Sequence, residues 1–122
     1  MYLPSPDKHS VSSKATGEWL QERLTALLLI PLTVWFAYFL VRLPATRLPD
    51  LLDWLGSPLH ALPLLGYMLV SAYHAWLGLR SVMTDYVQSP ALRRLGLFAI
   101  AGLLAGAVGS SAIALYVLSH TR

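Results

Sequence analysis

The chain has 122 residues, 56% of them hydrophobic and only 12% charged, and its mean hydropathy is positive. A water-soluble domain carries charge on about a quarter of its residues, so this composition belongs to the membrane class. It contains no cysteine, which excludes disulfides, thiolate metal sites and iron–sulfur ligation by this chain. The net charge of +3 is a topology signal rather than a nucleic-acid footprint.

Residues 1–17 are polar, rich in serine and proline, and carry both charge signs, which predicts a flexible tail. A secretory signal is not expected, because a long mixed-charge stretch precedes the first apolar run and no clear cleavage pattern follows it. Residues 18–122 form the membrane-embedded part, opened by Trp19 at an interface. The first predicted span covers residues 24–41, roughly 27 Å of helix and enough to cross a bilayer. Pro31 lies inside it, which a membrane helix accepts where neighbours re-satisfy the freed carbonyl. Arg23 stands at its mouth, either as a headgroup anchor or as a clamp for the anionic group of a cofactor.

Prolines 44, 49 and 58 mark residues 42–58 as a connection, within which LPDLLDWL can lie as a short surface helix with Trp54 at headgroup level. Ser57-Pro58 is a helix start, a capping residue followed by proline at the first helical position. The second span covers residues 59–83, with a gentle kink expected at Pro63 and a tilt to accommodate its length. It ends at Thr84-Asp85-Tyr86, and Pro90 closes a short loop. The third span covers residues 95–118, where Gly102 and Gly106 form a GxxxG pair extended by Ala99, Gly109 and Ser110. Small residues let backbones approach closely, so this face is expected to pack against another helix. Three crossings place the termini on opposite sides. Lys8, Lys14, Arg23, Arg80, Arg93 and Arg94 then share one side and Arg42, Arg47 and Arg122 the other, which favours the amino terminus inside. The expected fold is an all-α membrane protein of three transmembrane helices.

The second span carries the chemistry. At about 100° per residue, Tyr67, Ser71, His74, Gly78, Ser81 and Asp85 fall within about 60° of one another. An unpaired polar group in hydrocarbon costs several kcal/mol, so such a stripe is presented to protein or cofactor. His74 lies about 16 Å along the axis from Asp85, well inside the bilayer. It can join two helices by a hydrogen bond, or serve as an axial ligand of haem iron as a buried neutral imidazole, with Gly78 one turn below leaving room for a porphyrin edge. One chain with one such histidine supplies one axial ligand, so a bis-histidine haem needs a second chain. His60 lies fourteen residues before His74 on nearly the same face, a spacing also seen where two haems stack between the same helices. His9 in the tail and His120 near the carboxyl terminus are expected to be solvated or interfacial. No glycine-rich phosphate loop, nucleophile elbow or paired-carboxylate arrangement occurs, so no catalytic residue is assigned and catalysis by this chain alone has no support.

His74-Ala75-Trp76-Leu77-Gly78 followed by Asp85-Tyr86 resembles the signature of the small hydrophobic membrane-anchor subunit of succinate dehydrogenase (complex II). The stretch Trp19-Leu20-Gln21-Glu22-Arg23-Leu24-Thr25-Ala26, with Pro31 and Trp35, looks like the opening of its proteobacterial-type members. The resemblance covers roughly residues 18–118. It implies a cytochrome b-type anchor in the inner membrane that packs with a second three-helix anchor subunit and docks the iron–sulfur and flavoprotein subunits for electron transport. It implies a haem b between the two anchors, with His74 as this chain's ligand to the haem iron and Arg23 near a propionate. It also implies a ubiquinone site at the inner face, with Tyr86 donating its hydroxyl to a quinone carbonyl and Asp85 in support. A neutral phenol with access to water suits a carbonyl that gains negative charge and then protons. Asp85 sits at a helix carboxyl terminus, which is electrostatically unfavourable, so Arg80 or a neighbouring subunit's cation is its expected partner. Two rival readings stay open: a non-redox membrane scaffold or assembly subunit, and the anchor of a fumarate reductase, which shares the architecture.

Overall fold

The computed structural model describes residues 8–121, with side chains from Ser13 onward, and each element in it is helical. In chain order these are α1 (Lys8–Arg42), a 3-10 turn (Leu43–Ala45), α2 (Leu48–Gly56), α3 (Pro58–Tyr86) and α4 (Pro90–His120). Three helices are long and apolar enough to cross a membrane, over Ser13–Ala45, Pro58–Tyr86 and Pro90–His120. The all-α, three-span architecture expected from the sequence is the one observed.

The start of α1 differs from expectation. A flexible tail to residue 17 and a span from residue 24 were predicted, whereas α1 is helical from Lys8 and runs for 35 residues. Residues 1–7 of the expected tail lie outside the described residues. The reason is local: no proline falls between Pro6 and Pro31, and Gly17 alone costs a helix only about 1 kcal/mol relative to alanine. At ~1.5 Å per residue α1 is about 50 Å long, well beyond the roughly 30 Å of a hydrocarbon core. Its polar first turns, including Lys14, Glu18 and Glu22, therefore extend past the membrane. Pro31 and Pro63 lie inside α1 and α3 without ending either helix.

The expected surface helix is α2, with Pro49 in its first turn. The start of α3 falls at Ser57-Pro58 as expected, but the Ser57 side chain makes no capping bond. Its carbonyl instead accepts from the His60 and Ala61 amides at 3.0 and 2.9 Å. The true side-chain cap is at α4, where Ser89 Oγ accepts from the Leu92 amide at 3.4 Å and Pro90 takes the first helical position.

Helix α3 is central, packed against α1 on one side and α4 on the other, while α2 folds back over α3 and α4. Among the described residues only Leu77 and Leu115 are buried, at 7% and 8% exposure. A water-soluble chain could not leave so much leucine, valine and phenylalanine exposed. In a bilayer the lipid tails and neighbouring helices are as apolar as those side chains, and the exposure carries no such cost.

Candidate functional site

The polar stripe of α3 faces α1. Contacts between the two helices run antiparallel: Arg80 meets Glu18, His74 meets Thr25, and Tyr67 packs on Phe36 with ring centroids 4.9 Å apart. Each partner on α1 recurs on one face, because residues 18, 25 and 36 differ by seven and eleven positions, two and three helical turns. A stripe intolerable to lipid is thus first received by protein of the same chain.

His74 is half-buried at the middle of this seam. Its Nδ1 lies 2.8 Å from Thr25 Oγ1, and the Thr25 hydroxyl also sits 2.8 Å from the Gln21 carbonyl and 3.1 Å from that of Glu22. One residue before His74, the Tyr73 hydroxyl donates to Gln21 Oε1 at 3.2 Å. The helix-joining hydrogen bond considered for His74 is therefore present, but it engages one ring nitrogen only. Among the described residues Nε2 has no hydrogen-bond partner. One turn below, a Cβ added at Gly78 would meet nothing within 4 Å, so the face beside the imidazole is open.

Toward the end of α3, Ser81 and Asp85 line a cleft of about 310 Å³ together with Glu18, Glu22, Arg80 and Thr84. Arg80 was the expected partner of Asp85 within the chain. Instead its guanidinium lies 3.7 Å from Glu18, because residue 80 is five positions before 85 and points to a different side of the helix. Tyr86, the last residue of α3, is 80% exposed, so its hydroxyl is free to reach a molecule bound outside this chain.

Arg23 is not gathered with His74. It is exposed, with its guanidinium 5.6 Å from the ring centroid of Trp19 on its own helix. Being two residues before Thr25, it projects about 200° away around α1. His60 goes to the opposite end of the seam from Asp85. There it stacks on Trp54 at 4.4 Å, and Trp54 stacks in turn on Phe39 at 4.2 Å. This aromatic cluster walls a cavity of about 540 Å³ into which Arg42 and Asp50 also open. His60 Nδ1 is buried without a hydrogen-bond partner among the described residues. One face of its ring is covered by Trp54, which ties it to α2.

The α1 partners of the stripe were not singled out from the sequence. A signal existed: Glu18, Gln21, Glu22 and Thr25 recur at three- and four-residue spacing, the polar face of a helix entering a membrane.

The pattern that defines the succinate dehydrogenase/fumarate reductase transmembrane subunit family matches residues 4–109. The chain belongs to that family. It is similar to the succinate dehydrogenase hydrophobic membrane anchor subunit of Rickettsia bellii, 31% identical over 94 residues that cover 76% of this chain and 75% of that protein. The protein of the same name from Rickettsia conorii is 34% identical over 88 residues, 70% of each chain. No solved structure matches the chain significantly. As a transmembrane subunit of the succinate dehydrogenase/fumarate reductase family, the chain is a multi-pass membrane protein and a part of an enzyme complex rather than an enzyme in its own right.

Proposed function

We propose that this chain is the membrane anchor of a succinate:ubiquinone oxidoreductase in the inner membrane, with its amino terminus inside, and that it helps to bind haem b and ubiquinone. It would dock the iron–sulfur and flavoprotein subunits and pack with a second three-helix anchor subunit. The observation that carries the reading is the state of His74: an imidazole within a membrane-spanning helix, held at Nδ1, unpartnered at Nε2 among the described residues, beside the open face at Gly78. These residues fit a haem iron, which takes one nitrogen of a neutral imidazole and needs room for a planar ring.

His74 would be this chain's ligand to the haem iron, and a second histidine would come from the other anchor. Arg23 would reach a propionate across the subunit boundary, since it projects away from this chain's own seam. Bound haem supplies one-electron transfer between donors and quinone. Tyr86 would donate its hydroxyl to a carbonyl of the quinone, stabilising the charge that develops there on reduction. Asp85, one residue earlier and on the cleft with Glu18 and Arg80, would keep that neighbourhood polar and wetted for proton delivery.

The Thr25–His74 contact also suits the rival reading, a scaffold in which His74 only joins helices. A fumarate reductase anchor would use the same groups with the reaction run in reverse. The deciding experiment is a reduced-minus-oxidised visible spectrum of the detergent-purified complex, with succinate as reductant. A sharp b-type band with co-purifying flavin and iron–sulfur subunits is expected. Those subunits without haem would leave the anchor role and return His74 to helix joining, and their absence would reject the proposal.

A further inference from the structure

We infer that Thr25 is a positioning residue that fixes the tautomer of His74 and holds its Nε2 ready for a metal. The inference rests on the haem reading of His74 and concerns a residue to which that reading gives no role.

It follows from counting protons. A threonine hydroxyl has one hydrogen to donate and lone pairs to accept with. Thr25 Oγ1 lies 2.8 Å from the Gln21 carbonyl oxygen and 3.1 Å from that of Glu22. Both carbonyls can only accept, so the hydroxyl proton is committed to its own helix, a common arrangement for threonine in a membrane helix. Toward His74, 2.8 Å away, Oγ1 then has only a lone pair to offer. In that arrangement Nδ1 is the donor. A neutral imidazole carries one N–H, so the proton on Nδ1 leaves Nε2 with an unprotonated lone pair. That is the form in which histidine ligates iron.

The reverse arrangement, with Thr25 donating to a bare Nδ1, would give up the hydroxyl's bond to its own helix. It would also place the imidazole N–H on Nε2, where among the described residues nothing accepts it. Nε2 has no partner among the described residues in either tautomer, so the choice rests on the hydroxyl keeping its bond to its own helix. The α1 backbone, through one hydroxyl, thus selects the ligating tautomer before any metal is present.

Anchoring the distal nitrogen has two consequences for a ligand imidazole. It restrains the ring against rotation, and it makes the ligating nitrogen more electron-rich, which favours the oxidised metal.

The test is a spectroelectrochemical titration of the purified complex carrying Thr25→Val, which keeps the shape and removes the hydroxyl, beside Thr25→Ser, which keeps the hydroxyl. Thr25→Val is expected to raise the haem midpoint potential and weaken haem retention about tenfold or more, while Thr25→Ser tracks the wild type. Unchanged midpoint and retention in Thr25→Val would overturn the inference while leaving His74 as ligand. Should Thr25→Val not assemble, Thr25→Ser against Thr25→Ala reads the same hydroxyl, and equal midpoints overturn the inference. A wild-type complex without haem rejects the reading beneath it, and the inference falls with it.

Discussion

Glu18 on α1 and Arg80 on α3 approach to 3.7 Å at the polar end of the seam. The pair engages the cation that the sequence offered to Asp85, and that carboxylate stands on the cleft without an ion-pair partner among the described residues. Both side chains of the pair are more than half exposed, at 51% and 59%. An ion pair so open to water contributes under about 1 kcal/mol. Glu18→Gln is therefore expected to change the melting temperature of the purified complex by only a few degrees at most. A large loss of stability would mean that the pair is desolvated by a neighbouring subunit.

Tyr86→Phe is expected to lower succinate:quinone reductase activity by at least about tenfold, the scale of losing one donor to a developing negative charge. Succinate oxidation with an artificial water-soluble acceptor should be nearly unchanged. Because Tyr86 is 80% exposed, the substitution creates no cavity within this chain. Parallel losses in the two assays would indicate damaged assembly instead of a lost hydrogen bond.

The glycines of α4 should behave in two ways. A Cβ at Gly102 or Gly106 meets nothing within 4 Å in this chain, whereas one at Gly96 runs into the Met83 side chain of α3. Gly106→Leu is thus expected to leave the isolated chain folded and inserted while reducing co-purification of the second anchor subunit. Gly96→Leu should instead loosen the α3–α4 pair itself, by about 1–3 kcal/mol as overpacking, with Met83→Ala restoring part of the loss. Equal effects of the two glycine variants on assembly would remove the case for a helix-packing face at Gly102 and Gly106.

Trp54→Ala is expected to detach α2. Trp54 stacks on Phe39 at 4.2 Å and on His60 at 4.4 Å, and such ring pairs add about 0.5–1.5 kcal/mol each beyond their area. Limited proteolysis should then cut near residues 46–57 faster than in the wild type. The haem spectrum should not move, since His74 is fourteen residues, roughly 20 Å, away along α3 from His60. A spectral change would place a second site at the aromatic end.

The sequence alone determined the number of crossings, the existence of α2, and the polar stripe on the second span. Each is a property of one helix: apolar length sets whether a segment spans, and a 3.6-residue period sets which residues share a face. It also carried the family resemblance, through His74, Asp85 and Tyr86. What faces the stripe was decided only by the tertiary structure, because the angle at which α1 meets α3 depends on packing of many side chains at once. That packing brought Thr25 to His74 and Glu18 to Arg80, turned Arg23 outward, and took His60 to Trp54. A hydrogen bond between residues 25 and 74 has no local signature, since each helix shows its own polar face but not which residue of the other helix will meet it. The open space at Gly78 is likewise a property of the packed helices, since a glycine in one helix says nothing of what its neighbours leave uncovered.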